Sequence, residues 1–489
     1  MNACSSDPER APWRAATGLG LLAAVAFVLL RRDTSHEYDL YWLLPRLLRG
    51  ELELATHPLA LPVAHAWATL LEFTGAGLHD RLRIACGIST GLAVGIYTHV
   101  AWLLLRDRRL AVGAALLFAC LPPTAYFATI MELHAPFLPA AALATWFAAR
   151  AVARPGLGAG LLLGAGTAVA TGLHATGHLL AGTLALWLCW QGRSRHRWRG
   201  IVAALLGATA AHVLGGLLLR ELCLSAASPS PAAAQLDFLL ERPFLWADLH
   251  RTVLGEWFVP FFPVSIACWW AARSANGLAV PLAIGLLANL LACQAMLVLP
   301  ERGYAFHEFG AYQLPLAFLA AVMTVQVASA RWRLVILLAA VLGTALALGT
   351  MGKEKADAGF GRLATAYLER HPVRLVVECF AEYDGVFELA LAGPEAAASL
   401  KRVLGTHQLL LEANRLGAKR AVDVALFFHP QIAGVTTVIT DRALQQLRAE
   451  GGLFAELVDE ALPALYARNE VHEVDADGHR LSGWRLDPK

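Results

Sequence analysis

Apolar residues form long runs along the first 350 positions of the chain, and short polar connections separate them. A helix needs about 18–25 such residues to cross the hydrocarbon core of a bilayer. We count eleven runs of about this length, and each predicts a transmembrane helix. Their approximate bounds are 14–31, 84–105, 110–130, 135–152, 156–172, 178–191, 201–219, 253–271, 277–299, 312–329 and 334–350. The first run leads into Arg31 and Arg32 without a small-residue cleavage site, so we interpret it as a retained helix.

The pattern changes after residue 350, where charge density rises and the apolar runs shrink to strand length. The segments 373–380, 424–430 and 434–441 are predicted to be buried strands, and 394–415 and 442–467 have helical periodicity. The sequence therefore predicts a transmembrane domain over 1–350 and a small α/β domain over 351–489. That second domain contains no phosphate-binding loop, nucleophile elbow or paired-cysteine motif, so no chemistry is assigned to it.

Composition agrees with this division. Hydrophobic residues make up 57% of the 489 positions and charged residues only 16%, which excludes an ordinary water-soluble enzyme. The formal net charge of +2 argues against a nucleic-acid partner. None of the eight cysteines belongs to a CxxC pair, so neither a zinc ribbon nor a disulfide framework is predicted.

The distribution of arginine predicts the orientation, because Lys and Arg concentrate in cytoplasmic connections. The connections after predicted helices 2, 4, 6, 8 and 10 hold twelve arginines and one acid, Asp107. The amino terminus is therefore expected in the cytoplasm, and the segments 32–83, 220–252 and 351–489 outside the cytoplasmic membrane. The twelve are Arg106, Arg108, Arg109, Arg150, Arg154, Arg193, Arg195, Arg197, Arg199, Arg273, Arg331 and Arg333.

The first predicted outer loop carries three acids, Asp33, Glu37 and Asp39, within seven residues. An amphipathic, aromatic segment over 38–49 follows, which predicts an interfacial helix that Pro45 breaks or kinks. For any single acid, capping or solvation of this helix is as good an explanation as function. Three acids together at a membrane surface favour a functional role for at least one of them.

An acid just after the first transmembrane helix, an interfacial helix, Gly50 and then His57-Pro58 resemble the first outer loop of GT-C fold glycosyltransferases. The resemblance is to bacterial members related to protein mannosyltransferases and aminoarabinose transferases. It implies inverting transfer of a sugar from a polyprenyl-phosphate carrier to a glycan, lipid or protein acceptor outside the membrane. One acid of the loop would be the base; we favour Asp39 narrowly, with Asp33 and Glu37 in the same window.

The resemblance also implies roles for residues of later loops. An Arg before a Pro-containing helix binds the lipid-linked phosphate in several such enzymes, and Arg302 has this place. Glu132 and His134 stand where the family often has an acidic pair that binds a divalent metal or the acceptor. A Glu/His pair suits zinc or manganese better than magnesium. For His134, a hydrogen bond at a helix start before Pro136 is an equally good explanation.

His174 and His178 are four residues apart, so on one helical face they would be candidate metal ligands; ordinary polar contacts at a helix start are the alternative.

A different function class, a transporter or flippase of a lipid-linked or small polar substrate, would place ionisable groups at the membrane midplane. The midplane here is nearly free of them, with His99 and His212 the main exceptions. A non-catalytic scaffold would leave the acids unexplained.

Overall fold

The computed structural model describes most of the chain, namely residues 11–32, 40–54, 56–193, 197–224, 246–271, 277–299, 303–304, 309–350, 358–380, 383–393, 396–406, 408–409, 413, 418–428 and 435–489. These residues form two compact units. The membrane unit comprises the described residues of 1–32, 52–76 and 80–353. The C-terminal unit comprises those of 33–51, 77–79 and 354–489.

Every apolar run that predicts a span contains helix. The helices up to residue 350 are α1 Ala11–Leu29, α2 Leu40–Arg49, α3 Ala60–Leu70, α4 Leu78–Leu105, α5 Arg108–Ala119, α6 Pro122–Thr129, α7 His134–Ala153, α8 Leu157–Leu173, α9 Thr176–Arg193, α10 Trp198–Cys223, α11 Leu249–Val253, α12 Val264–Ala271, α13 Ala279–Leu297, α14 Leu314–Val327 and α15 Ala330–Thr350. Among the described residues, four of these helices, α4, α7, α10 and α15, are long and apolar enough to cross a membrane. The chain is therefore a membrane protein, and its exact number of spans stays a prediction.

Two predicted spans depart from a straight helix. The run over 110–130 is divided into α5 and α6, which meet at an angle of 62°. Pro122 and Pro123 begin α6, and a proline cannot donate the hydrogen bond that would continue α5. The predicted span over 253–271 is interrupted: a π-helical turn over Leu254–Phe258 follows α11, and helix resumes only at α12. Pro260 and Pro263 lie in that interruption.

Small residues let helices α8 and α10 pack closely. A Cβ atom at Gly160 would lie 2.0 Å from the carbonyl oxygen of Ala204, and one at Gly164 would lie 2.2 Å from that of Ala208. Such small-residue contacts are typical of membrane helices, where close backbone approach replaces the hydrophobic driving force available in water. Helix α8 ends at Leu173, and His174 follows it directly.

The C-terminal unit contains a five-stranded mixed sheet in the order β6-β3-β7-β9-β8. Strands β6, β3 and β7 are parallel, β9 is antiparallel to β7, and β8 and β9 form a hairpin. The strands are β3 Val373–Val377, β6 Val403–Gly405, β7 Thr436–Thr440, β8 Tyr466–Val474 and β9 Arg480–Pro488. The short pairs β1 Val298–Leu299 with β2 Gly303–Tyr304, and β4 Cys379–Phe380 with β5 Tyr383–Asp384, lie outside this sheet. The helices of this part are α16 Gly359–Arg370, α17 Gly385–Leu391, α18 Ala396–Leu400, α19 Ala421–Ala425, α20 Asp441–Ala449, α21 Gly452–Glu456 and α22 Leu462–Leu465.

The predicted elements of this unit are partly wrong. Strands are present as predicted within 373–380 and 434–441, but 424–428 is helical, because a short apolar run fits a buried helix as well as a strand. The segment 394–415, predicted to be helical, contains strand β6 after α18. The hairpin of β8 and β9 was not predicted, since its exposed polar positions carry little hydrophobic signal.

Helix α2, the predicted interfacial helix of the first outer loop, belongs to the C-terminal unit and packs against α17 and α18. Leu43, Leu44 and Leu47 are buried there. The helix runs through Pro45 without the predicted break. Pro45 lies inside the helix, where its missing N–H removes one intrahelical hydrogen bond.

Candidate functional site

The three first-loop acids, Asp33, Glu37 and Asp39, and the candidate phosphate ligand, Arg302, lie outside the described residues. Their positions stay predictions. The chain on either side of Arg302 is nevertheless held together, because β1 pairs antiparallel with β2 and joins Val298 to Tyr304.

Glu132 and His134 form a buried acid–imidazole pair between α6 and α7. The Nδ1 atom of His134 lies 3.4 Å from Oε1 of Glu132, and both side chains are at most 3% exposed. The same carboxyl oxygen accepts a hydrogen bond of 3.0 Å from the backbone N–H of Leu133. His134 is the first residue of α7, so the alternative of a residue at a helix start also describes its position. The two candidates are brought together inside the protein, not exposed in a solvated loop.

Two further histidines extend this pair into a histidine cluster of His57, His134 and His174. The ring centroids of His134 and His174 are 4.4 Å apart, and those of His57 and His174 are 4.8 Å apart in a stacked arrangement. Tyr312 contacts two of these rings, at 5.3 Å from His134 and 5.5 Å from His174. Residues from four separate segments of the chain therefore meet around His134 and His174.

Local backbone contacts explain this convergence. The N–H of Leu59, two residues after His57, donates 2.8 Å to the carbonyl oxygen of Gly172 at the end of α8. His174 follows α8 in an extended conformation, and its Nδ1 lies 2.9 Å from the hydroxyl of Thr176 at the start of α9. The His-Pro pair of the first loop is thus fixed against the turn that carries His174.

His174 and His178 have different side-chain neighbours. Nδ1 of His178 lies 3.2 Å from Nε2 of His212, whose Nδ1 lies 3.0 Å from the hydroxyl of Thr167. His174 instead belongs to the histidine cluster. Among the described residues, one trio of metal-ligating side chains has donor atoms that all lie within 4.8 Å of one another. It consists of Asp475, Asp477 and His479 on the β8–β9 hairpin, far along the sequence.

The start of the acidic first loop is tied to the Glu132 connection. The N–H of Arg32 donates 2.8 Å to the carbonyl oxygen of Thr129, which lies three residues before Glu132. The Arg32 guanidinium lies over the ring of Tyr126 at 5.6 Å, and Tyr126 also contacts Phe309 edge-on at 5.8 Å. The segments that lead into Asp33 and out of the Arg302 connection therefore both contact α6.

Sequence reasoning named His57 only as part of a motif and missed Tyr312 and the buried Glu256 as members of this region. The His-Pro pair was the one available signal. Tyr312 stands among several aromatics, and Glu256 lies in an apolar run where nothing distinguishes an inward acid from one at a helix end.

Comparison with known proteins supports the same interpretation. Residues 60–215, which include Glu132, His134, His174 and His178, match the family model of dolichyl-phosphate-mannose-protein mannosyltransferase. No curated protein sequence matches the chain significantly. The fold is similar to that of ArnT from Cupriavidus metallidurans, solved bound to undecaprenyl phosphate and in the apo state. Each of the two comparisons gives a TM-score of 0.55 and 14% identity over 96% of this chain and 97% of that chain.

A second similar structure is the oligosaccharyltransferase of Archaeoglobus fulgidus, solved in complex with Zn and sulfate. Its TM-score is 0.51 and its identity 12%, over 95% of this chain and 72% of that chain. The family-model match and the shared fold confirm the resemblance to GT-C polyprenyl-phosphate-dependent glycosyltransferases and the prediction of a membrane glycosyltransferase. These similarities give no support to the transporter or flippase alternative.

Proposed function

We propose that this protein transfers a sugar from a polyprenyl-phosphate donor to an acceptor outside the cytoplasmic membrane, with inversion at the anomeric carbon. The observation that carries the proposal is the buried Glu132–His134 pair, with His57, His174 and Tyr312 around it. Buried ionisable groups in a membrane protein are costly and mark functional sites. Glu132, His134 and His174 lie inside the region 60–215 that matches the mannosyltransferase family model, and His57 lies just before it.

In the proposed reaction, a first-loop acid accepts the proton of an acceptor hydroxyl group. The acceptor oxygen then attacks the anomeric carbon opposite the leaving group, and the bond from that carbon to the phosphate oxygen breaks. The polyprenyl phosphate departs with both electrons of that bond, and Arg302 offsets the charge on the phosphate through forked N–H donors. A carboxylate beside apolar surroundings suits this task, since partial desolvation makes it a stronger base.

Chain connectivity bears on which acid is the base. Consecutive Cα atoms are about 3.8 Å apart, and Arg32 is hydrogen-bonded to Thr129 near Glu132. Asp33 follows Arg32 directly in the chain, and this adjacency favours it as a candidate base. Asp39, which directly precedes α2, was narrowly favoured from the sequence. We therefore propose Asp33 and Asp39 as the two bases to distinguish by experiment, with Glu37 as a third.

We propose that Glu132 and His134 bind the acceptor. The alternative is that they bind a divalent metal, and a direct test must distinguish the two. The carboxylate oxygens of Glu and the imidazole nitrogens of His are suitable donors for zinc or manganese. Their close pairing at 3.4 Å supplies two donors, and among the described residues no third metal-ligating side chain completes a trio there. If a metal binds, chelation should abolish turnover and zinc or manganese should restore it better than magnesium.

The decisive experiment is a transfer assay with the full chain reconstituted in liposomes and radiolabelled polyprenyl-phosphate mannose or aminoarabinose as donor. Cell-envelope extract supplies the acceptor. We expect Glu132→Gln, Arg302→Ala and one of Asp33→Asn or Asp39→Asn to lower kcat/KM by about 100-fold or more. Glu221→Gln, which changes an exposed acid at the end of α10, is the control and should leave transfer unchanged. Activity that survives in every site variant would refute the site, and movement of labelled lipid across the bilayer without transfer would favour a flippase.

We further propose the cytoplasmic membrane as the location, with the amino terminus in the cytoplasm and the C-terminal unit outside. The arginine asymmetry described above supports this orientation.

A further inference from the structure

Glu256 is a buried acid of the membrane unit that the proposed reaction does not use. It lies in the π-helical turn Leu254–Phe258 and is fully buried. Its Oε2 accepts a hydrogen bond of 2.9 Å from the backbone N–H of Gly310, 54 residues later in the chain. A buried acid is costly unless hydrogen bonds compensate for its lost solvation, so this contact is expected to be specific. π-helical turns are also frequent at functional sites.

The turn that Glu256 contacts has an unusual backbone. Phe309 has a φ of 47° and Gly310 a φ of 78°, both in the left-handed region that residues other than glycine rarely adopt. A Cβ atom at position 310 would lie 2.5 Å from Cε2 of Phe261, so only glycine fits. The carbonyl oxygen of Gly310 then accepts a hydrogen bond of 2.9 Å from the N–H of Gln313, at the entry to α14. The turn is thus held by contacts that leave it little freedom.

One end of this turn contacts α6, which precedes Glu132, and the other end contacts the candidate site. Phe309 contacts Tyr126 on α6, and Tyr312 contacts His134 and His174 of the histidine cluster. The connection that carries Arg302 ends at Phe309. The backbone conformation at 309–310 therefore sets where Tyr312 lies and where that connection ends.

We propose that Glu256 is a positioning residue of the transferase site, whose carboxyl group fixes the 309–310 turn so that Tyr312 is held against the histidine cluster. The expected kinetic effect of this inference rests on the proposed function, whereas the fixing of the turn by the Glu256–Gly310 hydrogen bond does not. Glu256 acts through geometry, so an amide at position 256 can replace the carboxyl group, whereas an aliphatic side chain cannot.

The test compares Glu256→Gln with Glu256→Ala in the liposome transfer assay. We expect Glu256→Ala to lower kcat/KM by about 10- to 100-fold, because displaced catalytic geometry costs this much. Glu256→Gln keeps an acceptor oxygen for Gly310 and should stay within about three-fold of the wild type. Gly310→Ala should reproduce the loss, and combining it with Glu256→Ala should add little. Equal losses in Glu256→Gln and Glu256→Ala would overturn the inference, because the carboxyl group would then act by its charge.

A second readout does not depend on turnover. Hydrogen exchange followed by mass spectrometry should show faster exchange in the 309–316 peptide of Glu256→Ala, and wild-type exchange in Glu256→Gln and in the control Glu221→Gln. Unchanged exchange in Glu256→Ala would overturn the inference whatever the activity. A wild-type protein that transfers neither sugar but shows the expected exchange pattern would refute the proposed function, while the role of Glu256 in fixing the turn would stand.

Discussion

At the scale of single residues, the C-terminal unit has its own buried acid, Glu378, directly after β3. Arg442, at the start of α20, contacts it through Nη2 and lies 3.7 Å from Glu388. Burial raises the pKa of Glu378, and the guanidinium of Arg442 partly opposes that rise. The folded unit therefore binds the proton of this carboxyl group more tightly than the unfolded chain does.

The sign of the resulting pH dependence follows from that difference. The contribution of Glu378 to the free energy of unfolding should be largest below its unfolded pKa, about 4.3, and should decline as pH rises through the raised folded pKa. Hydrogen exchange of β3 and β7 in the full chain, corrected for intrinsic exchange, measures this contribution to the free energy of unfolding. Glu378→Gln should remove this decline. Arg442→Leu should steepen it, costing about 1–3 kcal/mol at neutral pH, because an ionised Glu378 would lose its partner. A slope unchanged in Glu378→Gln would contradict this assignment.

At the scale of elements, the unexpected result is that α2 of the first outer loop is part of the C-terminal unit. Its amphipathic pattern was interpreted as a membrane-interface helix, yet its buried leucines pack on α17 and α18. An amphipathic pattern fits contact with lipid as well as contact with protein, because it does not indicate which of the two covers the hydrophobic face. The finding gives the C-terminal unit a structural role, which is to hold the helix that begins directly after Asp39.

This role predicts an asymmetry between neighbouring leucines of α2. Leu43→Ala should destabilise the unit by about 2–5 kcal/mol, since Leu43 is fully buried. Leu48→Ala, at a partly exposed position of the same helix, should cost much less. Faster hydrogen exchange in α17 and α18 of Leu43→Ala, with near wild-type exchange in Leu48→Ala, would support the packing. Equal effects of the two substitutions would contradict it.

At the scale of the whole molecule, the sequence was most informative where one physical requirement dominates. Each of the eleven long apolar runs contains helix, as predicted, because a bilayer demands it. Long-range contacts could not be predicted from the sequence, because nothing local in it indicates that His57 stacks on His174 or that Glu256 contacts Gly310. The candidate site was found in part, through Glu132 and His134, because polar residues between apolar helices are visible in the sequence. The bend between α5 and α6 was missed although its prolines were visible.

The orientation of the molecule gives the last prediction. The arginine-rich connections should face the cytoplasm, since translocating their charge is unfavourable, and the C-terminal unit should then lie outside after an odd number of crossings. In intact spheroplasts, Lys489→Cys should react with a membrane-impermeant maleimide above the background of the native cysteines. Arg109→Cys, at an exposed position in the first turn of α5, should react only once the membrane is permeabilised. Labelling of Arg109→Cys but not Lys489→Cys in intact cells would invert the orientation. Labelling of both would require an even number of crossings between them, and in either case the proposed placement of the acceptor would fail.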